Sequence, residues 1–266
     1  MPHNQTGRVK LVGAGPGAVD LLTLRAVRAI ETADVILYDA LVSDDIRALF
    51  PARARCIEVG KRGHRPSTSQ DFINRLMLRM AKTGATVVRL KGGDPSIFGR
   101  VAEERAFLEA AGIGVQVIAG ITTASAAAAQ FGFSLTERGT ARQVLLATGR
   151  TLEGVAGGWE TAANTETTLC LYMGCGDIAA LAHDLIAAGR APSTPALAGV
   201  NVERPGAQLI KSTLSRLAQD VEGLDTGAPV FITIGQVCVA ARATSIEAEA
   251  SGRLQPDRRK AAAPGL

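Results

Sequence analysis

The 266-residue chain is poor in aromatic side chains: Phe, Tyr and Trp together make up 4% of it. A platform that stacks nucleic-acid bases needs several such rings, so no nucleic-acid partner is expected. Histidines number three and cysteines four (Cys56, Cys170, Cys175, Cys238), with no CxxC pair and no His at ligand spacing. That pattern excludes a zinc site and a disulfide framework and fits thiols in a reducing compartment. Long apolar runs are missing as well. Charged or Gly-rich positions interrupt every stretch before the roughly 20 residues of a membrane span. The opening MPHNQTGRVK has no apolar segment behind its charges, so no signal peptide is expected. The expectation is a cytoplasmic protein with no membrane partner. Charge of one sign is scarce too: 29 Lys and Arg stand against 25 Asp and Glu, net +4. This suits an anionic ligand without requiring a polyanion.

What is present is a hydrophobic content of 47%, enough for one large domain or two modest ones. The first half alternates short β-branched runs with amphipathic stretches. Strands are expected at Arg8–Val12, Asp34–Tyr38, Cys56–Val59, Thr86–Leu90 and Val115–Ile118. Helices are expected over Asp20–Thr32, from Ser69, and over Val101–Ala111. Such interleaving implies crossover connections and a largely parallel sheet. Near Gly120 the texture changes to a small-residue helix, ITTASAAAAQFG, and then a Gly- and Thr-rich stretch over Gly139–Thr168. Strands follow at Thr168–Tyr172, Ala196–Val200, Gln208–Ser212 and Pro229–Ile234, with helices over Asp177–Ala188 and Leu214–Glu222. The short connection Asn201–Gln208 has no room for a crossover helix, which points to antiparallel pairing there. The expected organisation is therefore α/β in two α/β domains, 8–119 and 120–244, with the active site in the cleft between them and a disordered tail at 245–266.

Two glycine-rich loops carry the chemistry. In LVGAGPGAVDLLTL, Gly13, Gly15 and Gly17 fall between a strand and a helix, where glycine permits tight turning and close approach of a ligand. One reading is an NAD(P) fingerprint of an oxidoreductase, with Asp39 on a ribose. The spacing is GxGxG, however, and Pro16 removes an N–H that a pyrophosphate cradle would use. A different nucleotide-like ligand and a purely structural turn stay open beside it. The second loop, KGGDPSIFGR over Lys91–Arg100, follows the strand TVVRL, at the end of a parallel sheet where ligands bind. Gly92 and Gly93 leave the cleft wall without side chains, and Asp94 offers a carboxylate to a ligand or caps the next helix.

With these loops the sequence resembles the tetrapyrrole (corrin/porphyrin) methyltransferases. The shared pieces are VGAGPG, LYDALVSDD, VGKRGHRPSTSQDFIN, VVRLKGGDPSIFGR, GITTAS, SLTERG and LYMG, in that order, from Val9 to about Val239. The resemblance implies the two-domain fold of that family, usually a homodimer. It also implies S-adenosyl-L-methionine (SAM) as methyl donor in the interdomain cleft, leaving S-adenosyl-L-homocysteine (SAH). The implied activity is C-methylation of the tetrapyrrole uroporphyrinogen III at C2 and C7, giving precorrin-2, with a later precorrin as the alternative substrate.

By the same resemblance SAM contacts Pro16, Gly92, Gly93, Asp94, Ile97, Thr122, Thr123, Met173 and the backbone near Val202. Asp39 and Lys61 take the positions of proton acceptor and proton donor. Arg100, Glu103 and Arg138 take those that hold substrate and assist proton removal. Arginine forks suit the substrate's carboxylates, and Arg62 and Arg65 either join Arg100 and Arg138 there or are solvated loop charges. Arg100 and Glu103, three residues apart on a helix, are equally placed to pair with each other. A guanidinium stays protonated at neutral pH, so Asp39 or a substrate carboxylate is the better proton acceptor. The chain departs from the family pattern at Ala18, Val101, Ala102, Ala119, Glu137 and Arg150. Val101, Ala102 and Glu137 bear on the substrate wall more than on SAM.

Overall fold

The computed structural model describes residues 7–60, 69–148, 159–173, 178–224 and 227–242. The chain forms two five-stranded sheets. The first contains β1 (Arg8–Gly13), β2 (Val35–Tyr38), β3 (Arg55–Glu58), β4 (Thr86–Lys91) and β5 (Gly114–Ile118). Its order is β3-β2-β4-β1-β5 and every pairing is parallel. All five strands therefore end at one edge, as the alternating sequence requires. Helices cover both faces. The period of two in β1 shows why: Val9 and Leu11 face the α3 side, while Val12 faces the α1 side.

Three helices illustrate how the sequence sets the boundaries. In α1 (Leu24–Glu31), Thr23 accepts a hydrogen bond from Ala26 N–H, and Ala26, Ala29 and Ile30 pack on the sheet. In α3 (Gln70–Ala81), Ser69 caps Phe72 N–H, and Ile73, Leu76 and Met77 pack on the opposite face. Each such aliphatic side chain contributes about 1.5–3 kcal/mol on burial. The short α2 (Asp44–Arg47) was not expected; Ser43 caps it through Ile46 N–H. Helix α4 (Val101–Ala110) follows the GGDP loop directly.

The second sheet is mixed, with order β6-β7-β10-β8-β9. It contains β6 (Gln143–Thr148), β7 (Thr167–Tyr172), β8 (Pro195–Val200), β9 (Gln208–Thr213) and β10 (Val230–Ile234). Strands β8 and β9 pair antiparallel, as the short connection demands, and β10 runs antiparallel to both β7 and β8. Around it lie α5 (Thr123–Gln130), α6 (Glu160–Ala163), α7 (Ile178–Ala187) and α8 (Leu217–Asp220).

Two expectations are corrected here. The Gly/Thr-rich stretch contains β6, parallel to β7, exposed at its first two residues and half-buried over the rest. The helix expected over Leu214–Glu222 is the single turn α8, because Leu214 N–H instead bonds Thr194 C=O and Asp220 accepts from the Ser212 hydroxyl. The tail at 245–266 lies outside the described residues.

One buried cation braces this sheet. Arg190, 2% exposed, donates to the carbonyls of Ala162 (2.6 Å), Asn164 (2.6 Å), Thr167 (3.0 Å) and Ile234 (3.4 Å). It joins the ends of α6, β7 and β10 through backbone groups alone.

Candidate active site

The ends of β1, β4 and β5 meet backbone against backbone. Gly15 N–H donates to Gly93 C=O (3.2 Å) and Gly93 N–H returns to Gly15 C=O (2.7 Å). Both glycines sit at positive φ, +69° and +67°. A Cβ on Gly13 would lie 2.6 Å from Gly120 Cα, and one on Gly120 would press on Gly93 O. The glycines thus serve close approach of three loops, and this glycine loop does not form a pyrophosphate cradle. The Gly15 amide is already spent on Gly93. Helix α1 starts only at Leu24, after a 3-10 turn over Val19–Leu21, so no helix N-terminus meets the glycine loop. The NAD(P) reading, with Asp39 on a ribose, is corrected on this geometry.

Asp94 holds the floor of this site together. One carboxylate oxygen accepts from Gly120 N–H (2.9 Å), the other from Ser96 N–H (2.8 Å) and the Ser96 hydroxyl. The side chain therefore ties the GGDP loop to the start of ITTAS. Ile97 closes the turn through its N–H to Asp94 C=O (3.2 Å) and is half-buried. Gly92 packs against the Leu41 side chain, whereas a Cβ on Gly93 would meet open space.

From the second sheet, Tyr172 reaches across to this floor. Its hydroxyl lies 2.6 Å from Thr122 Oγ1 and accepts from Ala124 N–H (3.2 Å), at the first turn of α5, where Thr123 stands half-buried. Burial pushes the phenol up, and the Thr122 hydrogen bond opposes that in part. Phe98 stacks on the Tyr172 ring at 5.2 Å. Met173 follows in the left-handed region (φ +55°) with half its surface exposed. A non-glycine residue held there, beside a site, marks a backbone fixed by its surroundings.

A clasp closes the other side. Arg204, after β8, donates to Pro16 C=O (3.0 Å) and to Leu41 C=O. Gly17 makes this approach available, since a Cβ there would stand 2.5 Å from Arg204 Cγ. Desolvation lowers the Arg204 guanidinium from its ordinary value. The Val202 side chain is buried in the core with Phe131, which leaves its backbone as the part that could meet a ligand.

The acid–base and substrate candidates separate into groups. Asp39 stands at the end of β2 and lines a cavity of about 380 Å³ with Tyr38, Ser43, Glu58, Asn201 and Arg204. Arg100, the residue before α4, and Glu103 in its first turn form a two-pronged ion pair, at 2.9 and 2.6 Å, each about half exposed. The Glu103 hydrogen bond pushes Arg100 up, and Arg100 pulls Glu103 down, so both stay charged at neutral pH. Arg138 lies exposed on the turn between Glu137 and Ala141. Lys61, Arg62, Arg65 and Arg150 lie outside the described residues.

Sequence reasoning missed the charged cluster beneath Asp39. Arg89 and Lys91 project to one face of β4, two residues apart, and both meet Glu104 of α4. The signal was present: two cations at alternate positions of TVVRLK, a strand otherwise made of buried aliphatics.

A family model described as Tetrapyrrole (Corrin/Porphyrin) Methylases matches residues 8–218. The chain is 45% identical over 237 residues to the S-adenosyl-L-methionine-dependent uroporphyrinogen III methyltransferase, chloroplastic, of Arabidopsis thaliana, covering 87% of this chain and 63% of that protein. It is 44% identical over 232 residues to the uroporphyrinogen-III C-methyltransferase of Pseudomonas aeruginosa, covering 87% of this chain and 94% of that one. Among solved structures, uroporphyrin-III C-methyl transferase from Thermus thermophilus complexed with S-adenyl homocysteine has a TM-score of 0.73 at 37% identity, covering 87% and 93%.

Proposed function

Because the chain belongs to the tetrapyrrole (corrin/porphyrin) methylases, we propose that it transfers methyl groups from SAM to C2 and C7 of uroporphyrinogen III, giving precorrin-2. The observation that carries this reading is the convergence of the VGAGPG, KGGDP and GITTAS loops on one floor held by glycine backbones. It stands in a chain that aligns with 94% of the Pseudomonas C-methyltransferase.

The residues present fit SAM. Open space stands over Gly93, and the half-exposed Met173, next to Tyr172, offers a soft thioether contact. Pro16, Gly92, Ile97, Thr122 and Thr123 are the candidate contacts on the three loops, and Asp94 ties the GGDP loop to the start of ITTAS. When bound, SAM supplies an electrophilic methyl group.

The chain's own contribution is placement and proton removal. Holding a flexible macrocycle in line with a methyl donor supplies several kcal/mol of the barrier reduction. Arg100 and Arg138 are the seats for substrate carboxylates, and an incoming carboxylate competes with Glu103 for Arg100. The methylated ring must then lose a proton. Arg100 is too firmly protonated to accept it, because Glu103 raises it further. Asp39, at the rim of the cavity, takes that role, with Lys61 as the returning donor. Among the described residues no helix is long and apolar enough to cross a membrane. We place the enzyme in the cytoplasm as a homodimer. The open edge of β5, with Val117 and the protruding Leu24 exposed, supports a second copy as cover.

Incubation with SAM and freshly made uroporphyrinogen III tests the reading by mass spectrometry. A doubly methylated product is expected. Failure to methylate it, with a later precorrin accepted instead, overturns the substrate assignment.

A further inference from the structure

Four charges lie together under the cavity rim. The Arg89 side chain is 3% exposed, Lys91 5% and Glu104 0%, whereas Asp39, at the top, is 27% exposed. Glu104 Oε1 collects three donors: Lys91 Nζ (2.8 Å), Gln70 Nε2 (3.0 Å) and Arg89 Nε (3.3 Å). The Arg89 fork then continues upward, with one nitrogen on Leu90 C=O (3.1 Å) and the other on Asp39 Oδ1 (2.5 Å). Gln70 is itself fixed by Asn74 (3.0 Å). Burying three charges is costly, and replacement by apolar side chains of similar volume is often neutral or stabilising. The cluster is therefore a poor device for stability alone. It leads from the fully buried Glu104 of α4 to the Asp39 carboxylate in the cavity.

Resting on the general-base reading of Asp39, we propose that Arg89 is a positioning residue for that carboxylate, itself held by Glu104 and Lys91. Arg89 is planar and forked, so gripping Oδ1 fixes both the position and the plane of the carboxylate. Its other oxygen is left for a proton from the substrate. The need is local. Asp39 shares the cavity with Asp44, Asp45 and Glu58, whose charges repel it, and Arg47 at the same rim is already paired with Asp44. Arg89 supplies the opposing cation from below, out of water and out of reach of the substrate's carboxylates. Lys91 lies in the same row, and burial together with the Arg89 charge lowers its ammonium, while Glu104 raises it. Glu104 thereby keeps two neighbouring cations compatible.

Turnover and ligand binding test this with Arg89→Met, Arg89→Lys, and the charge-balanced pair Arg89→Met with Glu104→Gln. The proposal expects kcat to fall by about a hundredfold in both Met variants, the scale of an ångström of misplacement. KM for SAM and the calorimetric affinity for SAH stay within about threefold, because the cofactor floor is untouched. Arg89→Lys recovers part of kcat. The paired variant keeps the cluster neutral, so the fold survives if the single change does not. Placed in an Asp39→Asn background, Arg89→Met adds nothing further, the mark of two groups acting as one unit. Losses that multiply in that background, or a kcat that falls only with SAH stoichiometry, overturn the positioning role. Full turnover in Asp39→Asn overturns the general-base reading itself, and a slow Asp39→Asn beside a fast Arg89→Met overturns Arg89 alone.

Discussion

Gly120→Ala is the sharpest test of the backbone-built floor. Gly120 is not at positive φ, so alanine meets no conformational penalty there. Its Cβ, however, would stand 2.8 Å from Gly13 Cα and press on Gly93 O. Those atoms must retreat by roughly half an ångström or more to regain ordinary contact. Overpacking of this kind costs about 1–3 kcal/mol. The shift also loads the Gly120 N–H to Asp94 bond (2.9 Å), a charge-assisted contact worth about 1.5–3 kcal/mol. A melting temperature lower by about 5–15 °C follows for a chain of this size. SAH affinity should fall at least about tenfold, which corresponds to 1.4 kcal/mol. Gly114→Ala is the matched control at the start of β5: a Cβ there meets nothing within 4 Å, and φ is ordinary. It should leave SAH binding unchanged and the fold equally or slightly more stable, by up to about 1 kcal/mol. Calorimetric titration of SAH and thermal melting read both variants. Normal SAH binding by Gly120→Ala, or an equal loss in Gly114→Ala, would refute the argument that close approach of three glycines builds the floor.

Asp94→Ala should weaken SAH binding by about tenfold or more through loosening of the loop, with Asp94→Asn intermediate because its amide oxygen still accepts from Gly120; unchanged affinity in Asp94→Ala would show the loop holds without its carboxylate. Arg190→Met strips four carbonyls of their donor and should cost about 3–5 kcal/mol, read as a large fall in the denaturation midpoint with SAH affinity of the folded fraction preserved. Cys170 and Cys238 have thiols pushed up to about 12 by burial, so at pH 8 they are almost wholly protonated. Iodoacetamide should therefore modify the exposed Cys56 and spare both until pH or denaturant opens the fold, as peptide mass mapping would show.

The floor was legible in sequence because glycine carries its meaning openly. Gly13, Gly93 and Gly120 follow strand runs, and only close approach or positive φ explains them there. The β8–β9 pairing was equally plain, since seven residues cannot hold a crossover helix. Strand β6 was not, because Gln143–Thr148 has neither alternation nor full burial, and only its pairing with β7 defines it. Nor was the insertion of β10 between β7 and β8, which depends on contacts distant in sequence. The cluster under Asp39 escaped for a related reason. Arg89 and Lys91 stand at alternate positions of one strand, but only the docking of α4 shows that Glu104 meets them.

The Arg204 clasp has a consequence for how relatives of this chain can be recombined. Leu41 and Pro16 offer carbonyls that a residue more than 160 positions away satisfies, through a gap that exists only because position 17 has no side chain. The two residues form a matched pair split between halves of the chain. A chimera joining the first half of one homologue to the second half of another inherits a working seam only if Gly17 and Arg204 travel together. Exchange of either alone leaves a collision or an open joint.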